Sequence, residues 1–319
     1  MIIIFHFLRI LFYILFEKEI LLVSSPLQFI NLLEYKYLNK HNYKKFKNKK
    51  IFLSYPTTEN EISIVKSINK KINKNSNEVI IFKNNINIII LLIIIKIRAR
   101  ISKLNLSILG DYNNHLFQQF YKISEKIILL DDGTNAFKFN KLFKMDKKNL
   151  QIFTIFNKDL FHHKNIIINE LTYLKSKLNL VKKKKYLYIL GGAGIQNNFI
   201  SLNKYLNIIK FIQKKYKDYK IIYIPHPKEL SSNINKYSFI KVIKPNSTIE
   251  VYLINSKFKP SLIIGFNSTS FFTIKKIFGK KIKLVNYNYT AYPKKYSVFF
   301  NKININIKKK LKIISHNFS

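Results

Sequence analysis

Short runs of β-branched and aromatic residues recur along this chain, each closing on a polar or glycine-containing turn that leads into a helical stretch. No other feature constrains the fold as much. Ile20-Leu21-Leu22-Val23 has the composition of a buried strand, and Ser24-Ser25-Pro26-Leu27-Gln28 then opens a helix running through Glu34 and Tyr35. Serine ahead of a proline in the first helical turn is a start signal, because the hydroxyl caps free N–H groups and proline lacks the one it would leave unpaired. The rhythm repeats with a strand over Ile51–Ser54, a helix over Glu59–Ile72 and a strand over Glu78–Phe82. Strands at Leu104–Leu109 and Ile127–Leu130 follow, with a helix from Leu116 into Ser124 between them. The isoleucine run Ile86–Ile97 fits a buried helix or a strand, and periodicity does not separate the two. Strands alternating with helices imply an α/β protein with parallel sheets.

The segment from Met145 to Asn179 is polar and carries no clear element, whereas Lys182–Lys185 precedes a fresh apolar strand, Tyr186–Leu190. A division at that point gives an apolar amino-terminal extension (1–19), a first domain (20–181) and a second domain (182–319). At 319 residues the chain is long enough for two cores of ordinary size. The second half keeps the alternation, with a helix from Asn198 to Tyr216, a strand over Ile221–Ile224 and a helix over Thr248–Ile254. A strand over Ser261–Gly265, a helix through Ile277 and a strand over Ile282–Val285 complete it, and the tail from Lys302 is basic and mixed.

Cysteine is absent, which excludes disulfides, thiolate metal sites and a cysteine nucleophile and suits a reducing cytoplasm. The formal net charge of +41 points to an acidic partner. Lysine is spread through every part of the chain alongside abundant asparagine and isoleucine, so no separate basic arm marks a nucleic-acid binder. Anionic lipid headgroups and anionic sugar nucleotides fit such a dispersed charge. Met1–Phe16 is almost wholly apolar but shorter than the roughly 20 residues of a bilayer-spanning helix. It lacks the basic start and small-residue cleavage site of a secretory signal, and suits an interfacial helix at a membrane surface, or an upstream extension of the true start, better than a spanning anchor.

Three strand ends carry candidate chemistry. Lys220–Ile224 runs into Pro225-His226-Pro227, where two prolines stop the ladder and fix a histidine at the carboxyl end of a strand, the edge at which open parallel sheets bind ligands. An imidazole there can contact a phosphate or assist a leaving group; a rigid turn with an exposed histidine would look the same. Ile127–Leu130 ends on Asp131-Asp132-Gly133, two carboxylates of which one can face a substrate while the other ties down the loop. Most such triplets are surface turns. Ser261–Gly265 ends on Phe266-Asn267-Ser268-Thr269-Ser270, three hydroxyls at one helix start, suited to an anion or to plain capping. Gly191-Gly192-Ala193-Gly194 lets backbone amides approach a phosphate, yet it is neither a dinucleotide fingerprint nor a nucleotide-triphosphate loop. His162 and His163 are adjacent, not at metal-binding spacing, and read as surface residues.

Asp131-Asp132-Gly133, His226-Pro227 and Ser268-Thr269-Ser270, in that order, resemble the acidic-acidic-Gly, His-Pro and Ser/Thr-Ser motifs of bacterial GT-B sialyltransferases of the polysialyltransferase-like group. Val23–Ile30 is similar to the opening strand and helix of the same group, so the resemblance spans about Ile20 to Lys283. It implies two Rossmann-like domains facing a central cleft and an inverting, metal-independent transfer of sialic acid from CMP-sialic acid to a glycan or glycolipid, with no cofactor. Related readings are transfer of another nonulosonic acid, or extension of a polysialic chain; a basic protein that binds nucleic acid or membrane without catalysis is the rival class. Under the resemblance Asp131, with Asp132 as the alternative, is the general base, and His226 assists departure of CMP. Ser268, Thr269, Ser270 and Pro227 lie at the donor phosphate with Gly191 and Gly192, while Glu250 holds the ribose hydroxyls. Some relatives carry a lysine two residues before the histidine; here that position is Ile224, and Lys228 can stand in for it. The protein is expected in the cytoplasm, at the inner face of the membrane.

Overall fold

The computed structural model describes residues 12–39, 51–54, 59–72, 79–82, 85–111, 114–133, 149–161, 163–179, 182–192, 194–288, 301, 303–311 and 313–317. The chain forms two compact units, Met1–Tyr173 and Leu174–Ser319. In the first, strands β1 (Glu19–Val23), β2 (Ile51–Ser54), β3 (Val79–Phe82), β4 (Leu104–Leu109), β5 (Ser124–Leu130), β6 (Leu150–Thr154) and β7 (Ile166–Ile168) form one sheet of order β3-β2-β1-β4-β5-β6-β7. The pairings of this sheet are all parallel. Helices α1 (Pro26–Leu38), α2 (Glu59–Ile72), α3 (Asn85–Ile101) and α4 (His115–Ile123) connect the first five strands, and the short α5 (Thr172–Lys175) follows β7.

The second unit repeats the plan, with β8 (Lys183–Leu190), β9 (Lys220–Ile224), β10 (Lys241–Val242), β11 (Lys259–Gly265), β12 (Lys283–Asn288) and β13 (Ile314–Asn317) in the order β10-β9-β8-β11-β12-β13. Its pairings are parallel as well. The crossovers carry α6 (Leu202–Lys215), α7 (Ser231–Ile234), α8 (Ile249–Asn255) and α9 (Ser270–Phe278). Leu187 and Ile189 of β8, Tyr205 and Ile209 of α6, and Ile264 of β11 meet in a continuous buried core. Parallel strands covered on both faces must be apolar along most of their length, which accounts for isoleucine-rich runs without alternation.

Local chemistry sets the boundaries. Ser25 caps α1 by accepting from Gln28 N, with Pro26 as the first helical residue. In α6 the cap is Ser201, which accepts from Lys204 N, so this helix begins at Leu202 and not at Asn198, a residue of positive φ in the preceding turn. The Ile86–Ile97 run is helical, as α3, with Ile94 and Ile95 buried and Ile93 and Ile97 exposed. Residues 12–16 are helical too; Tyr13 and Ile14 are buried and Arg98 of α3 donates to the carbonyls of Leu15 and Glu17. The rest of the apolar amino-terminal stretch lies outside the described residues, as does Ala193. Among the described residues no helix is long and apolar enough to cross a membrane.

Candidate functional site

Each sheet has one place where the chain reverses its direction of winding, between β1 and β4 in the first unit and between β8 and β11 in the second. Crossovers leave such a point on opposite sides of the sheet, opening a crevice beyond the carboxyl ends of the strands. The candidate residues collect around these two points.

In the first unit Ser24 and Ser25 follow β1, Gly110 follows β4, Asp131 follows β5 and Ile155 follows β6. Gln28 fills the switch point, its Oε1 accepting from Ser24 N at 2.6 Å and from Ser24 Oγ at 3.1 Å. A Cβ at Gly110 would overlap that side chain, so only glycine admits it. Asp131 is fully buried: Oδ1 accepts from Asn31 Nδ2 at 3.0 Å and Gly133 N at 3.3 Å, and Oδ2 accepts from Ile155 N at 2.6 Å. Gly133 adopts a φ of 62°, which aims its N–H back at the carboxylate. Asn31 also donates to the Asp131 carbonyl at 3.1 Å and is held in turn by Asn169 Nδ2 at 2.9 Å. Burial raises the Asp131 pKa to about 6, against the downward pull of hydrogen bonds from Ile155, Thr154 and Gly133. Asp132 is partly exposed and accepts from Ser25 Oγ at 3.2 Å.

This arrangement alters the order in which the two carboxylates stand as candidates. The sequence put Asp131 first as the base, but its oxygens are closed to solvent and engaged by protein donors that tie α1, β5 and β6 together. Of the two carboxylates, Asp132 is the one open to solvent.

In the second unit β9, β8 and β11 are neighbours, and their carboxyl ends deliver His226, Gly191-Gly192 and Phe266–Ser268. The Pro225-His226-Pro227 turn is built on Glu229. This buried carboxylate accepts from Tyr223 Oη at 2.8 Å, from Tyr237 Oη at 2.7 Å and from His226 N at 3.2 Å, and Glu229 N donates to the His226 carbonyl at 2.8 Å. Burial pushes the Glu229 pKa up, opposed by the two phenols and the amide. A Cβ on Gly191 would lie 2.6 Å from Tyr223 Oη, 2.8 Å from His226 N and 2.9 Å from Glu229 Oε2, so β8 can end beside this clamp only as glycine. Lys228 N donates to His226 Nδ1 at 3.2 Å, which makes Nδ1 the acceptor and assigns the proton of the neutral ring to Nε2. Burial, and then the Lys228 cation, lower the His226 pKa to about 4. The ring is therefore a neutral Nε2–H donor at pH 7.

Glu250 opens α8, is buried, and accepts from Thr273 Oγ1 at 2.5 Å, linking α8 to α9. Ser268 Oγ accepts from Ser270 N at 3.2 Å, a local turn just ahead of α9, whose N-cap is Thr269. The loop before it is fixed by Asn267, of φ 50°, whose N–H donates to Asn286 Oδ1 at 2.8 Å while Asn286 Nδ2 returns to Asn267 Oδ1 at 2.9 Å. Pro227 is exposed beside His226. His163 accepts from Asn165 N through Nδ1, a local turn contact; His162 lies outside the described residues. No group of three or more histidine, aspartate or glutamate side chains suited to a metal ion occurs among the described residues.

Sequence reasoning missed Glu229, Tyr223 and Tyr237 as supports of the histidine, and Asn31, Asn169 and Asn286 as supports of the two loops. The Glu229 carboxylate was detectable in principle, since a residue three positions beyond a histidine in a tight turn folds back onto it.

Residues 195–287 match the family model described as alpha-2,8-polysialyltransferase (POLYST). That segment contains His226, Glu250 and Ser268–Ser270. No curated protein matches the sequence. Among solved structures, the alpha/beta-galactoside alpha-2,3-sialyltransferase of Photobacterium phosphoreum superposes with a TM-score of 0.52 at 12% identity, covering 93% of this chain and 97% of that one. An Arabidopsis thaliana protein complexed with UDP-L-rhamnose gives a TM-score of 0.51 at 10% identity, over 94% of this chain and 85% of that one. Identities this low speak for the fold alone. The chain has the GT-B fold, and the greater part of its second unit matches the polysialyltransferase family model.

Proposed function

We propose that the protein is an inverting, metal-independent sialyltransferase that moves sialic acid from CMP-sialic acid to a cell-surface glycan such as lipooligosaccharide or capsule. One observation carries the reading: the segment matched by the polysialyltransferase model holds His226 and Ser268–Ser270, and the strand order gathers both, with Gly191, around one switch point.

In this reading the second unit holds the donor. His226 Nε2–H and the Ser268 and Ser270 hydroxyls face the phosphate. Glu250 takes the ribose hydroxyls, and Gly191-Gly192 allow the backbone to approach. A CMP leaving group needs its developing negative charge stabilised more than it needs a full proton, which suits a neutral imidazole donor. Asp132 deprotonates the acceptor hydroxyl, and Asp131 holds the loop that presents it. The acceptor oxygen attacks the anomeric carbon as the bond to the phosphate oxygen breaks on the opposite face, so the configuration inverts. A glycolipid acceptor places the enzyme at the inner face of the membrane.

The polysialyltransferase description of the matched family supports a second reading in which the acceptor is itself a sialic acid chain. The nucleotide arm is tested by thermal unfolding in EDTA with CMP, UDP or single-stranded nucleic acid. At 100 times its Kd a ligand adds about 2.7 kcal/mol of stability, a readily visible shift. CMP should raise the midpoint in EDTA and UDP should not. A shift that needs added magnesium or manganese, or one given only by nucleic acid, contradicts the proposal.

A further inference from the structure

Nine large hydrophobic side chains are exposed among the described residues, and five of them fall on two helical segments of the first unit: Phe12, Phe16, Ile93, Ile97 and Ile101. On α3 the three isoleucines stand at i, i+4 and i+8, a single stripe, while Ile94, Ile95 and Arg98 on the other side are buried. The stripe is well exposed, at 52%, 47% and 68% for Ile93, Ile97 and Ile101. On residues 12–16, Phe12 and Phe16 are also one turn apart, with ring centroids 4.4 Å from each other, and are 65% and 64% exposed. Arg98 fastens the two segments by donating to the Leu15 and Glu17 carbonyls at the end of the first one. The remaining exposed hydrophobics are single residues on other elements, of the kind any soluble protein shows.

Charge distinguishes this stripe from an ordinary protein interface. Lys96 and Arg100 project from the same side of α3, between the isoleucines, and Lys103 follows the helix; all three are exposed. Lys18, also exposed, follows the phenylalanine pair. Interface cores between proteins are depleted of lysine. Apolar side chains interleaved with long cationic ones match a bilayer surface, where the rings and branched chains enter the acyl boundary and the ammonium and guanidinium groups reach lipid phosphates.

We propose that the α3 face formed by Ile93, Ile97 and Ile101, with Lys96, Arg100 and Lys103, docks the first unit onto an anionic lipid bilayer. It gives the glycolipid part of the functional reading a surface on this chain. Its test needs neither donor nor acceptor, so the two fail separately.

The experiment is co-sedimentation of the full chain with vesicles of phosphatidylcholine alone or mixed with phosphatidylglycerol, at low and high salt. The wild type should bind the mixed vesicles, bind the neutral ones far less, and release as salt rises. Lys96→Gln and Arg100→Gln should each weaken binding about fivefold, the loss expected per basic residue at an anionic surface. Ile97→Asp with Ile101→Asp should reduce it at least tenfold without lowering the thermal unfolding midpoint. Because the glutamine variants alter only exposed polar side chains, they keep the test decisive if the aspartates disturb folding. Equal binding to neutral and anionic vesicles, or variants that bind as the wild type does, would overturn the proposal. So would light scattering that finds a wild-type dimer converted to monomer by the α3 changes, which would make the face a contact between copies of the chain.

Discussion

The two adjacent carboxylates occupy different environments, and their replacements should fail differently. Asp132→Asn removes the proposed base and leaves the second unit untouched, so turnover should fall by about 10² to 10⁴ while CMP affinity, read by thermal shift, stays the same. Asp131→Asn substitutes an amide for a buried carboxylate surrounded by donors, so its NH₂ must face the Ile155 or Asn31 donors. That should destabilise the fold by about 1–3 kcal/mol, seen in denaturant unfolding. His226 sets a pH dependence of its own. Its folded pKa of about 4 lies below the roughly 6.5 of an unfolded histidine. The unfolded chain therefore binds more protons between those values, and the contribution of His226 to stability is complete above about pH 6.5 and is lost as the pH falls toward 4. Midpoints measured at pH 7.5 and pH 5 should drop less in His226→Gln than in the wild type.

At the scale of elements, the turn after β9 and the end of β8 form one device. Gly191→Ala would push a methyl group against the His226 backbone and the Glu229 clamp, neither of which can move without the other. The variant should lose about 1–3 kcal/mol of stability and bind CMP more weakly, and a calorimetric titration checks the second effect. Elements bounded by strong polar signals were legible from the chain alone: the strand Ile51–Ser54, the helix Glu59–Ile72 and the strand Leu104–Leu109 occur as expected. β6, β7 and β13 were not, because each is a run of five residues or fewer, and β6 and β7 lie in a stretch whose polar flanks resemble a loop. Their pairing is decided by neighbouring strands rather than by propensity. The same reason hid the supports of the site. Asn31 and Asp131 lie 100 residues apart, and Asn267 and Asn286 lie 19 apart, so no local pattern joins them. His226, Gly191 and the aspartate pair could be read because proline, glycine and adjacent acids mark strand ends directly.

At the scale of the whole molecule, two parallel sheets with separate cores carry the two halves of one proposed reaction. The second unit has its own sheet, core and switch point, so residues 174–319 expressed alone should fold and retain CMP binding without divalent metal. A fragment that stays unfolded by circular dichroism would contradict that independence. The net charge of +41 favours encounter with an anionic donor and an anionic surface alike, and both associations should weaken with salt. The central claim is a division of labour, with an acid of the first unit activating the acceptor and a histidine of the second easing the departure of CMP. It is tested most directly by measuring CMP release from CMP-sialic acid in EDTA, with and without a galactoside acceptor, for the wild type, Asp132→Asn and His226→Ala. The account predicts acceptor-stimulated release by the wild type, loss of that stimulation with CMP affinity intact in Asp132→Asn, and loss of both turnover and CMP affinity in His226→Ala. No release by the wild type, or acceptor-stimulated release by both variants within a few fold of it, would contradict the account.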